Sequence, residues 1–147
     1  MKQKVQTASS RQAGFTMIEV MITVVILALA VGVALPSYIE SVKRSSRNEA
    51  RAVLLENQLW MEQQFTTNNT YGTKATTILP FLQSPKKGKA KYKIAIADGM
   101  TATTYTLTAT PETGVDTKCG TFSIDQTGKR DLLGTHSMGV DDCWAGK

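Results

Sequence analysis

Three sets of residues in this chain have types and spacings that could do chemistry. Glu19 is a lone carboxylate inside the apolar run Phe15–Leu35. Lys86, Lys87, Lys89, Lys91 and Lys93 crowd the segment PKKGKAKYK. Cys119 and Cys143 are the only cysteines. A carboxylate among hydrocarbon is costly unless it meets a cation, so Glu19 implies a partner. Lysines at this density can track phosphates; they can equally solvate a strand face or guard an edge strand against aggregation. From Lys87 onward the spacing is two, so an extended chain would align Lys87, Lys89, Lys91 and Lys93 on one face, with Tyr92 pointing inward. Enzymatic signals are missing: no phosphate loop, no G-x-S-x-G and no nucleotide fingerprint occur. His136 stands alone in a polar stretch, and Asp141 and Asp142 lack the loop of further oxygen ligands that calcium needs. The expectation is a non-enzymatic protein with no cofactor and no metal.

These residues must be positioned by a membrane segment and a small exported domain. The run from Phe15 is long enough to span a bilayer as a helix, and its many Ile, Leu, Val and Phe residues offset a buried acid of roughly 3 kcal/mol. A cleaved secretory signal and a plain anchor are alternatives. The first has a shorter apolar core and no acid; the second leaves Glu19 and the preceding Gly14 without a use. Before the run, Lys2, Lys4 and Arg11 form a basic leader without acids, holding three of the five net positive charges. A basic flank stays cytoplasmic, which puts residues 37–147 outside. Cysteines in that oxidising compartment read as one disulfide, worth about 3–4 kcal/mol by loop entropy. Buried thiols remain an alternative; a metal is disfavoured, because there is one histidine and no C-x-x-C.

Gly14, Phe15, Thr16, Met17, Ile18 and Glu19 resemble the prepilin-peptidase site of type IV pilins and pseudopilins. The resemblance implies a leader, residues 1–14, cut between Gly14 and Phe15, with N-methylation of Phe15. It implies that Glu19 meets the amine of Phe15 on a neighbouring subunit, and that residues 15–36 form the transmembrane and filament-core half of a helix. Pro36 stands where the family has a helix-bending proline. It removes one donor and crowds the carbonyl of Gly32, so a kink or local melting is predicted there.

Helical patterning resumes from Ser37 to about Phe65. Val42, Ala50, Val53, Leu54, Trp60, Met61 and Phe65 share a stripe, and Glu40, Arg44, Arg47, Glu56 and Glu62 mostly take other angles. Leu55 and Leu59 lie off the stripe. Residues 66–89 read as a loop. Strands are predicted over 91–97, 103–110 and 119–125, with a short fourth near 129–133; Asp98-Gly99 marks a hairpin. The predicted class is α+β, a long kinked N-terminal helix packed against an antiparallel meander of about four strands.

The runs LLENQLWMEQQFTTNNTYGT, TYTLTATP and CGTFSIDQTGKR, with the terminal DCW, resemble minor type IV pilins of the PilE and ComP kind. That resemblance makes residues 37–147 a pilin head, with 119–143 its short C-terminal loop. It implies an inner-membrane subunit with a periplasmic head that joins a surface filament. Its partners would be other pilin subunits, the prepilin peptidase, the assembly platform and the bilayer, with DNA a further one. A type II secretion pseudopilin and a DNA-receptor pilin of natural competence are the competing readings.

Overall fold

A computed structural model describes residues 14–146. The leader cations Lys2, Lys4 and Arg11 lie outside the described residues. The chain divides between Tyr38 and Ile39 into two units.

Helix α1 runs over Met17–Asn68, with Pro36 inside it. Melting near residues 32–36 therefore does not occur. Pro36 removes one donor, and Gly32, whose carbonyl would have received it, has open space around its Cα. Up to Ile39 the apolar side chains of α1 are exposed, among them Ile18, Val25, Leu29 and Val33. This stretch is long and apolar enough to cross a membrane.

In the second unit α1 buries Ala50, Val53, Leu54 and Met61, while Trp60 and Phe65 are partly buried against the same core. Val42 and Leu59 are exposed. Arg47 departs from the predicted stripe: it is fully buried among the core residues. Its charge is admitted because two carboxylates meet it there.

Five antiparallel strands form one sheet in sequence order: β1 (Gln83–Ser84), β2 (Tyr92–Ile96), β3 (Thr106–Pro111), β4 (Thr121–Asp125) and β5 (Arg130–Leu133). The predicted four are present and β1 is added. It is two residues long, too short for alternation to announce it. The register places Ile94 opposite Ala109, Ala109 opposite Phe122 and Phe122 opposite Leu132, all buried. Lys93, Thr108 and Thr110 point the other way.

Asp98-Gly99 does turn, with Gly99 at φ 88°, but it does not make a two-residue hairpin. Residues 97–105 form the connection, because Ala102 O accepts hydrogen bonds from Tyr71 N and Thr70 Oγ1 and so draws the loop toward the end of α1. At the β4–β5 turn Asp125 Oδ1 accepts from Thr127 N, Thr127 Oγ1 and Lys129 N. The Thr127 hydroxyl is the main cause of an Asp125 carboxyl held below its usual range.

The terminal stretch ends in a short helix, α2 (Val140–Ala145), which the sequence did not suggest. It carries Cys143 and Trp144 into the core. Gly120 permits the chain after β5 to pass: it sits at φ 65°, and a Cβ there would lie 3.0 Å from Leu133 O. All buried residues among those described fall between Ser46 and Trp144, so the head carries its own core.

Candidate nucleic-acid interface

The lysine segment does not form the extended stripe predicted from its spacing. Residues 85–89 are a run of bends, with Gly88 at φ 85°, and β2 starts only at Tyr92. Lys86, Lys87 and Lys89 lie in those bends, outside the regular alternation of a strand.

Three of them meet groups of the head. Lys86 pairs with Glu56 and lies 4.1 Å above the Phe81 ring. Lys91 Nζ donates to Ser46 Oγ at 2.8 Å. Lys93 pairs with Glu112 at 2.9 Å. Among the described residues Lys87 and Lys89 are exposed and have no carboxylate within 4 Å. Lys89 and Lys91 line a cleft of about 570 Å³ with Glu112, Thr113 and Val115. The segment is thus a partly neutralised basic rim with two cations available to phosphate.

Beneath this rim the head is held by a buried polar network. Arg47 Nη2 lies 2.6 Å from Glu40 Oε1, and Arg47 Nε lies 3.4 Å from Asp116 Oδ2, an ion pair without hydrogen-bond alignment. Asp116 also accepts from the Tyr92 hydroxyl and Lys118 N. Lys118 Nζ reaches Glu40 at 3.1 Å, and this contact is the main cause of a Glu40 carboxyl below its usual range. Burial, followed by the Asp116 charge, pushes the Tyr92 phenol upward. Arg47 Nη1 also lies 3.6 Å from Cys119 Sγ. Cys119 and Cys143 are joined in a disulfide, both fully buried. The network thus connects α1, β2 and the loop that the disulfide closes.

Gly14 and Phe15 precede α1 and are exposed. Glu19 lies in the first turn, where the helix dipole favours an acid. Thr16 Oγ1 accepts from Glu19 N at 3.3 Å. Thr16-x-x-Glu19 is therefore also a helix-start signal, a use for these residues that the apolar context obscured. His136 is exposed, with Nδ1 3.0 Å from Gly134 O.

Residues 36–123 match the family described as type IV minor pilin ComP, DNA uptake sequence receptor. The chain belongs to this ComP family of minor type IV pilins. Residues 9–35 match the prokaryotic N-terminal methylation motif. A solved type IV pilin from Shewanella oneidensis is similar at 21% identity and a TM-score of 0.48, covering 63% of this chain and 99% of that one. No curated protein matches. Membership of the ComP family fixes the α+β pilin fold and decides for the pilus over the secretion pseudopilus. Together with the N-terminal methylation motif it makes the chain a structural pilus subunit with an apolar membrane-anchoring helix, a substrate of leader processing, and a partner of other pilus subunits.

Proposed function

We propose that this minor pilin displays a DNA-capturing head on a type IV pilus and serves DNA uptake. The carrying observation is the match of residues 36–123, most of the head, to a family described as a DNA uptake sequence receptor. Lys87 and Lys89, exposed and without acidic partners among the described residues, add cations that can release counterions from a phosphate backbone. In this reading the prepilin peptidase cuts between Gly14 and Phe15, and Phe15 is methylated. Residues 15–36 hold the subunit in the inner membrane with the head in the periplasm. The assembly platform then moves it into the filament, where Glu19 pairs with the amine of a neighbouring Phe15. Charges of opposite sign attract strongly in an apolar bundle, but only at one axial register.

Uptake of labelled DNA into a nuclease-protected state tests the receptor reading. A strain lacking this subunit should keep its pili and lose protected DNA, and the wild-type gene should restore it. Undiminished uptake in the deletion strain refutes the receptor role.

A further inference from the structure

A second cationic feature lies at the corner where α1, β5 and α2 meet, away from the lysine rim. Trp144 is fixed there. It is 5% exposed, packs edge-on against Phe122 at 5.5 Å, and donates its Nε1 hydrogen to Asp131 O. Two guanidinium groups lie over its ring. Arg51 Cζ is 5.9 Å and Arg130 Cζ 5.1 Å from the ring centroid.

The register explains Arg130. It pairs with Ile124, on the row of β5 that turns toward the core. A guanidinium cannot enter apolar packing unpaired, so the exposed side chain lies over the indole at the end of the sheet. Arg51 follows Arg47 by one turn of α1. Its Nη1 donates to Asn48 Oδ1 at 2.8 Å, and its Nε is buried without an acceptor. Gly146, at φ 81°, packs directly on Asn48 and Arg51, whose side chains would have to shift for a Cβ there.

The corner is short of counter-charge. Among the described residues the ion pairs engage Arg47, Lys74, Lys86, Lys93 and Lys118; no carboxylate oxygen lies within 4 Å of Arg51 or Arg130. Burial, and then repulsion from Arg130, holds Arg51 below the ordinary arginine range. Two like charges on one ring, with a donor left over, are the arrangement that an added anion relieves. A cleft of about 510 Å³ opens beside them, lined by Gly128, Arg130, Val140, Asp141, Trp144 and Ala145. Asp141 lines the same cleft, so an anion fits on the arginine side.

We propose that Arg130, lying over Trp144 at the cleft, grips a backbone phosphate of DNA, with Arg51 on the same ring adding positive charge. The assignment rests on the DNA-capture reading above and names the residues that execute it. The planar fork of arginine binds phosphate through two parallel hydrogen bonds, and stacking fixes the fork before the ligand arrives. The lysines of the rim have long flexible stems and supply only point charge. The shallow, exposed corner suits a phosphodiester on a long polymer, which other cations of the head can hold at the same time.

The test is duplex DNA binding by the oxidised head, residues 37–147, followed by fluorescence anisotropy between 50 and 200 mM salt, both roughly the range over which counterion release is read. Affinity falls by a factor of ten to the power of about 0.9 per phosphate contact for each decade of salt. Arg130→Gln should therefore weaken binding about eight-fold at roughly 0.1 M salt and lower the salt slope by about one. Arg130→Lys should keep the slope and still bind more weakly, because charge remains and the stacked fork does not. Asp141→Asn should tighten binding. Arg130 is exposed, so the thermal midpoint of these variants should match wild type.

Wild-type binding by Arg130→Gln, with a loss in Lys87→Gln/Lys89→Gln, overturns the arginine grip and leaves DNA capture standing. No binding by the wild-type head at about 50 mM salt overturns both. Arg130-dependent binding of inorganic phosphate without any DNA binding also overturns both, since the site would then serve a free anion.

Discussion

Replacing Arg47 by methionine should be among the most damaging single changes available to the head. The guanidinium is fully buried, and its partner Asp116 is almost as deep. Methionine keeps much of the volume and removes the charge. Asp116 would keep its hydrogen bonds from Tyr92 and Lys118 N but lose its cation in a low-dielectric setting. Breaking a buried pair by removing one partner costs about 3–5 kcal/mol. A domain of this size has roughly 5–15 kcal/mol in total, and each kcal/mol moves its midpoint by about 4 °C. Arg47→Met should then melt about 12–20 °C below wild type in a circular-dichroism scan of the oxidised head. Asp116→Asn in the same chain should return part of that loss, because a neutral amide needs no counter-charge. The reasoning fails if Arg47→Met melts within about 4 °C of wild type, or if the double variant is no more stable than the single one.

The disulfide, the tyrosines and the N-terminus give further tests. Cys119→Ser/Cys143→Ser should destabilise the head by about 3–4 kcal/mol, from the loop entropy returned to the unfolded chain; equal urea midpoints for variant and wild type would contradict this. Burial, and then a hydrogen bond to Glu62, pushes the Tyr71 phenol up to about 12, and Tyr105 moves in the same direction. A raised phenol means stability that is complete below the unfolded value of about 10 and is lost as pH climbs from there toward about 12. Absorbance titration of the folded head should show delayed tyrosinate formation, advanced in Glu62→Gln; a Tyr71 that ionises near its unfolded value excludes the contact. Glu19→Ala should be processed and inserted yet be scarce in sheared filaments, and the filament-borne wild-type chain should start at Phe15 with one added methyl. Normal filament content of Glu19→Ala would remove the pairing argument.

Regular periodicity made much of the fold legible in the sequence. Tyr92, Ile94 and Ile96 alternate with Lys93 and the small Ala95, and Leu107 and Ala109 alternate with threonines; these are the buried rows of the sheet. What the sequence hid is what tertiary contacts decide. Arg47 belonged by angle and type to the solvent, yet Asp116, sixty-nine positions later, draws it inside. The lysine spacing implied one face only while the backbone stayed extended, and the bends around Gly88 end that condition. The Arg51–Trp144–Arg130 stack joins three segments remote in sequence, so no local pattern announced it. The terminal DCW did point to the element that supplies the tryptophan, though not to its helix.

The most direct test of the account is the salt dependence of DNA binding by the wild-type head. With one phosphate held at Arg130 and one each at Lys87 and Lys89, the logarithm of the affinity should fall against the logarithm of salt with a slope of about −3. A slope near zero, or no binding at about 50 mM salt, would make this subunit a filament component that does not hold DNA.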